Sequence, residues 1–222
     1  MKYLDFFEDV YYINLDYRID RKILFEKRAS DVGIIPNRFS AIQPTEIECQ
    51  SITPFKEIRR FKVGCTMSHQ AVVKIAKEKN FSNVLIFEDD CLFLEGFQSK
   101  AQLCVNELKN LHWDIIYFGG EPNNQCVDIS DNLVKIENGG VYCCHAYAVN
   151  NTFYDKILNV NPHQIDVIDI FILNYECSRR IYLLSRDLLA VQDGIFSDLK
   201  QGLNEAAASY MKKGWDKYVN KK

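Results

Sequence analysis

The chain has 222 residues, 47% of them hydrophobic and 26% charged, with a formal net charge of −3. That length fits one packed domain, and that composition excludes a disordered chain. The mild acidity excludes non-specific binding to DNA or RNA, which needs a basic excess, but leaves room for a local cluster of cations around a small anion.

The segment from Met1 to Asp9 carries acids where a secretion signal keeps an apolar stretch, and no run approaches the roughly 18 apolar residues of a membrane span. The expectation is a cytoplasmic protein without a transmembrane segment. Val10 to Leu15 reads as a first strand, β-branched and aromatic. Asp16 to Arg21 is polar, and Asp20 is placed to cap a helix running to about Val32 and ended by Gly33. Phe39 to Ile42 is a short strand candidate. Residues 43–60, with Pro44 and Pro54, read as a long loop able to act as a lid.

Met67, Ala71, Val72 and Ile75 form one stripe, which predicts a helix from Gly64 to Lys79. Val84-Leu85-Ile86-Phe87 is a continuous apolar run, the pattern of a strand covered on both faces. Phe97, Ala101, Cys104, Leu108 and Leu111 predict another amphipathic helix. Trp113 to Phe118 reads as a strand closed by Gly119-Gly120, and Pro122 to Asn132 as a loop. Ala146 to Val149 reads as a strand, with Asn151 capping a helix through Leu158. Asp166 to Cys177 reads as a helix, Ile181 to Leu184 and Leu188 to Val191 as late strands, and about 204–222 as a terminal helix. Strands alternating with helices predict an α/β class with a mostly parallel sheet and helices on both faces, in a single domain spanning 1–222. The eight cysteines contain no Cys-x-x-Cys pair. They read as reduced thiols, mostly in the core, rather than as a zinc ribbon, with a redox pair the alternative for Cys143-Cys144.

The chemistry concentrates at Glu88-Asp89-Asp90, directly after the apolar run. In open α/β sheets ligands bind beyond the carboxyl ends of the strands. On an extended backbone Glu88 and Asp90 face one way and Asp89 the other. Two like charges about 6 Å apart repel by ~3 kcal/mol at an effective dielectric of ~20. A divalent cation reverses that balance, and carboxylates suit Mg²⁺ or Mn²⁺. The alternative is a solvated acidic turn.

Three segments together carry a resemblance. Ile13-Asn14-Leu15-Asp16 with Arg18 and Arg21, then Gly64-Cys65-Thr66-Met67-Ser68-His69, then Leu85-Ile86-Phe87-Glu88-Asp89-Asp90 resemble, in order and spacing, the signatures of glycosyltransferase family 25. That family includes lipopolysaccharide biosynthesis enzymes and collagen β-galactosyltransferases. The resemblance implies a GT-A-like (Rossmann-like) fold, a nucleotide-sugar donor, usually UDP-linked, a divalent metal and inversion at the sugar. It implies that Glu-Asp-Asp stands in for Asp-x-Asp, with Asp90 the direct metal ligand. Glu88 or Asp89 then reaches the metal through water, both also meet the donor, and Asp89 is counted with the catalytic residues. The chain departs from the family pattern at Phe61-Lys62-Val63 and at Ala41-Ile42-Gln43-Pro44.

On this reading Asn14, Leu15, Arg18, Arg21, Ser68 and His69 bind the donor, since guanidinium groups pair phosphates and a helix start presents N–H groups to an anion. The alternatives are solvated charges at a helix start and a satisfied core histidine. His145 lines the pocket, serves as a late metal ligand, or sits in the core. Asp166 or Asp169 takes the acceptor's proton, or merely caps a helix. Gln192 and Asp193 close the pocket. The expected function is metal-dependent transfer of a hexose such as galactose or glucose from a UDP-sugar to a glycan, lipid-linked or protein acceptor. No nucleic-acid partner is expected, and peripheral membrane association is compatible. Other classes are an inactive nucleotide-sugar-binding module and a metal-dependent phosphohydrolase.

Overall fold

The computed structural model describes residues 3–43, 56–165, 167–175, 181–194, 196–197, 202–203 and 206–219. In chain order it contains β1 (Val10–Asn14), α1 (Ile19–Asp31), β2 (Asn37–Ser40), α2 (Lys56–Glu78), β3 (Asn83–Glu88), β4 (Cys91–Phe93) and α3 (Phe97–Leu108). There follow β5 (Ile115–Tyr117), β6 (Glu121–Pro122), β7 (Cys126–Asp128), β8 (Leu133–Ile136), β9 (Val141–Tyr142) and β10 (Ala146–Asn150). The remainder comprises α4 (Asn151–Leu158), α5 (Ile168–Asn174), β11 (Tyr182–Ser185), β12 (Ala190–Gln192), the paired two-residue strands β13 (Phe196–Ser197) and β14 (Gly202–Leu203), and α6 (Ala207–Tyr218).

Among the described residues the main sheet has eight strands in the order β2-β1-β3-β10-β5-β11-β8-β7. β1 runs parallel to both β2 and β3, and β5 parallel to β11. Only β10 and β8 run against the rest. The expected mostly parallel α/β architecture is therefore borne out. Val84, Leu85, Ile86 and Phe87 in β3 are all fully buried because both faces are covered. Leu85 and Phe87 pack with Phe25 and Ala29 of α1 and with Phe97, Ala101 and Cys104 of α3. Val84 and Ile86 pack with Val72, Val73 and Ala76 of α2, with Phe153 and Ile157 of α4, and with Ile172 of α5. Full burial of one such side chain contributes about 1.5–3 kcal/mol.

Several boundaries depart from the sequence reading. The helix expected from Gly64 begins at Lys56, so residues 56–60 of the expected loop are helical. The run Lys56 to Val63 holds no Gly or Pro, and Arg59 ties it down: its Nη2 donates to the His163 carbonyl at 2.6 Å. The rest of the lid segment, residues 44–55, lies outside the described residues. β2 spans Asn37–Ser40 rather than 39–42. Asp20 sits within the first turn of α1, and Arg18 is the cap residue. Asn150, not Asn151, caps α4, its side chain accepting from Thr152 N at 3.2 Å. The expected loop 122–132 contains β7, which pairs with β8 at the sheet edge.

A forced glycine lies two residues beyond β5. Gly119 bridges to Ala190, and a Cβ there would stand 2.2 Å from the Ala190 carbonyl oxygen and 2.5 Å from His145 Nε2. Only glycine allows this approach, which brings β12 beside β5. β12 in turn pairs with β4, so the chain leaving Asp90 is clasped by residues 190–192.

Candidate active site

β2, β1 and β3 are adjacent and parallel, so their carboxyl ends open onto one edge. A cleft lies there, the position that open α/β sheets use for ligands. Asn14 ends β1 with Leu15 after it, Ala41 to Gln43 follow β2, and Glu88 ends β3 with Asp89 and Asp90 after it. The opposite wall is one face of α2: Arg60-Phe61, Gly64-Cys65 and Ser68-His69, pairs that recur one turn apart.

The three acids do not alternate as an extended strand would have them. β3 ends at Glu88, and Asp89-Asp90 form a turn before β4. Both aspartates therefore meet Arg21, while Glu88 points to α2. Arg21 Nη1 lies 2.7 Å from Asp89 Oδ1, and Nη2 lies 3.2 Å from Asp90 Oδ2. Asn14 Nδ2 donates to Asp89 Oδ2 at 2.7 Å, and Asn14 Oδ1 accepts from Arg38 Nε at 2.9 Å. Burial pushes Asp89 up to about 6 despite the Arg21 charge and the Asn14 hydrogen bond. Burial and the Glu88 charge push Asp90 well above the usual carboxylate range. Asp90 Oδ1 is buried and has no hydrogen-bond partner among the described residues. One guanidinium serves two carboxylates, with a third close by, so the cleft carries an excess of negative charge suited to a cation.

Glu88 Oε1 lies 3.2 Å from His69 Nε2, and His69 Nδ1 lies 2.9 Å from the Tyr147 hydroxyl. Burial works to raise Glu88, but the hydrogen bond from His69 and the nearby His69, His145 and Arg21 charges hold it below its ordinary value.

The helix-start reading of Ser68 and His69 is corrected. Both lie in the fourth turn of α2, where the backbone N–H groups are already bonded. Ser68 Oγ donates to the Gly64 carbonyl at 2.6 Å and accepts from Ile42 N at 2.8 Å. It ties the segment after β2 to α2. Arg18 Nη2 pairs with Asp20 at 2.9 Å at the start of α1, and Leu15 lines the cleft.

His145 is fully buried, and neither ring nitrogen makes a hydrogen bond of good geometry among the described residues. Burial lowers its pKa, against the Glu88 charge and the adjacent Ala190 carbonyl. Gln192 lines the cleft. Asp193 N donates to the Asp90 carbonyl at 2.9 Å, and its carboxylate takes Arg28 Nη1 at 2.5 Å. Asp169 accepts from Cys143 N at 3.0 Å and from Ile170 N at 2.8 Å. Cys143 has φ 72°, so Asp169 holds a left-handed residue in place. Burial raises the Asp169 pKa. Asp166 lies outside the described residues.

Arg60, Phe61, Cys65 and Tyr147 were not among the sequence candidates. Arg60 Nε is buried without a hydrogen-bond partner among the described residues. The signal was present: 60, 61, 64, 65, 68 and 69 recur at helical spacing, but only if the helix starts before Gly64. One ligand atom from each of Cys65, His69 and Glu88 lies within 4.8 Å of the others. No helix among the described residues is long and apolar enough to cross a membrane.

Residues 7–138 match the family described as Glycosyltransferase family 25 (LPS biosynthesis protein). A glycosyltransferase 25 family member of Drosophila melanogaster is 26% identical over 172 residues, 69% of this chain and 28% of that protein. Procollagen galactosyltransferase 1-A of Xenopus laevis is 26% identical over 178 residues, 70% of this chain and 29% of that protein. The inactive glycosyltransferase 25 family member 3 of Homo sapiens is 30% identical over 113 residues, 48% of this chain and 19% of that protein. The chain spans less than a third of the length of these relatives.

Proposed function

The chain belongs to glycosyltransferase family 25, and from that premise we propose that it transfers a hexose from a UDP-sugar to a hydroxyl of a glycan, lipid-linked or protein acceptor, with inversion. The observation that carries this reading is the convergence of Asn14, Arg21, Glu88, Asp89 and Asp90 at the carboxyl ends of parallel strands, against the basic residue Arg60 across the cleft. In this reading the acceptor oxygen forms a bond to the anomeric carbon as the bond to the diphosphate oxygen breaks. Asn14 and Arg21 hold the two aspartates in one geometry, so that little reorganisation is needed when charge develops. Arg60 pairs with the departing diphosphate. Asp169, whose pKa burial raises, and Asp166 are the candidates for taking the acceptor's proton.

A divalent cation fits this set. The buried Asp90 Oδ1 has no hydrogen-bond partner among the described residues, and Glu88 adds a second hard oxygen ligand on the same cleft. Mn²⁺ or Mg²⁺ held there would stabilise the negative charge gathering on the diphosphate. A location in the cytoplasm, in contact with a membrane bearing lipid-linked acceptors, is part of the same proposal.

Calorimetric titration of UDP-galactose and UDP-glucose, with and without Mn²⁺, tests this function. Binding that needs Mn²⁺ and is lost in Asp90→Asn is the expected result. No binding of any nucleotide sugar in either condition overturns it. The inactive human relative makes a second reading concrete, a nucleotide-sugar-binding module without turnover. Product analysis with candidate acceptors separates that module from a transferase, and release of free sugar or phosphate without an acceptor would mark a phosphohydrolase.

A further inference from the structure

We propose that Cys65, His69 and Glu88 form a site for a single Zn²⁺-class transition-metal ion on the α2 wall of the cleft, with an open fourth position facing the cleft. The inference goes beyond the transferase reading and does not depend on it.

Cys65 and His69 are four residues apart on α2, hence one above the other on the same helix face, and Glu88 reaches them from the end of β3. Their ligand atoms lie within 4.8 Å of one another. Zn–N and Zn–O bonds of about 2.0–2.2 Å at a tetrahedral centre require ligand atoms about 3.4 Å apart. The His69 Nε2 to Glu88 Oε1 distance is already 3.2 Å. One sulfur, one imidazole nitrogen and one carboxylate oxygen form a mixed set that suits Zn²⁺ and its borderline relatives, whereas Mg²⁺ and Mn²⁺ favour oxygen alone.

The support behind His69 is in place. Without a metal, Nε2 donates its proton to Glu88, and Nδ1 accepts from the Tyr147 hydroxyl. With a metal on Nε2, the ring proton moves to Nδ1 and the Tyr147 oxygen accepts it. A hydroxyl can serve either tautomer, and such an orienting partner is typical behind a metal-bound histidine. Cys65 is a free thiol on the cleft, surrounded by the charges of Glu88, Asp169 and Asp90, an environment that attracts a cation. Binding releases the proton of the Cys65 thiol, because the metal takes a thiolate, while Glu88 binds as a carboxylate. The remaining tetrahedral position opens to the cleft for water or a donor oxygen. Because Glu88 is shared, an ion here takes that carboxylate away from a cation centred on Asp90.

Co²⁺ reports the site directly, because a thiolate ligand adds an intense charge-transfer absorption that oxygen ligands do not. Titrated into the full chain, Co²⁺ is expected to develop this band with saturation at one equivalent, and Zn²⁺ to bleach it. Cys65→Ser removes the band, whereas Cys126→Ser and Asp90→Asn retain it. Tyr147→Phe weakens Zn²⁺ affinity by about 10- to 100-fold, measured by chelator competition. A band that survives Cys65→Ser, or no band at all, overturns the site. X-ray absorption at the zinc edge on the unsubstituted chain needs no variant to fold: one sulfur in the first shell is expected, and its absence refutes the assignment. None of these readouts uses a nucleotide sugar, so failure here and failure of the transferase reading are distinguishable.

Discussion

Arg21 Nη1 lies 2.7 Å from Asp89 Oδ1, a contact across 68 positions of sequence between two buried side chains. The same guanidinium reaches Asp90 at 3.2 Å. Removing it leaves two buried carboxylates without their shared guanidinium. Arg21→Met is therefore expected to destabilise the fold by about 3–5 kcal/mol. Urea unfolding at neutral pH measures the loss, and Asp89→Asn in the same background is expected to recover part of it. A loss below about 1 kcal/mol would place the pair among weak surface bridges.

The Asp89 carboxyl titrates at about 6 in the folded chain, against ~3.9 for an unperturbed aspartate. A raised acid binds its proton more tightly when folded, so its contribution to stability is complete below about pH 4 and disappears as pH rises through about 6. The shift corresponds to about 3 kcal/mol. With chelator present, wild type should lose stability relative to Asp89→Asn between about pH 4 and about pH 7. A gap that instead moves in favour of the wild type would mean that Arg21 outweighs burial.

Ser68 bonds both ways, to the Gly64 carbonyl and from Ile42 N. Ser68→Ala leaves the Ile42 N–H without this acceptor and is expected to lower stability by about 1 kcal/mol. Hydrogen exchange at Ile42 provides a local readout, and unchanged protection there would contradict the linking role.

Gly119 has no room for a methyl group between the Ala190 carbonyl and His145. Gly119→Ala should cost about 1–3 kcal/mol and loosen the clasp between β12 and β4. Thermal unfolding would register this, and a variant as stable as wild type would show that the two strands can separate without penalty.

Asp169 holds left-handed Cys143 through a backbone hydrogen bond. Cys143→Gly removes the steric cost of that conformation and should stabilise the chain by roughly 1 kcal/mol. Asp169→Ala should then cost less in the glycine background than in the wild type, which a double-mutant cycle measures. Equal costs would indicate that Asp169 does not serve that turn.

The sequence by itself determined the class of fold and the position of the acids. Four consecutive apolar residues from Val84 to Phe87 demand cover on both faces, and a sheet with helices on each side is how a chain of this length supplies it. The three carboxylates immediately after that run therefore had to emerge at a strand end. Helical stripes at 97–108 and in 64–78 were legible for the same reason, since burial imposes a period that residues display.

Only the tertiary structure decided which way each acid points. The turn at Asp89-Asp90 breaks the alternation of a strand, and it exists because Cys91–Phe93 pairs with residues 190–192, a contact no local pattern announces. The α2 wall was hidden for a related reason. Its first turns carry polar and charged residues, and Arg59 among them finds a partner, the His163 carbonyl, far along the chain. Local propensity records what a segment can form. The cleft records which distant segments meet, and that is set by packing and long-range hydrogen bonds, whose partners are separated in sequence by as much as 165 positions between Arg28 and Asp193.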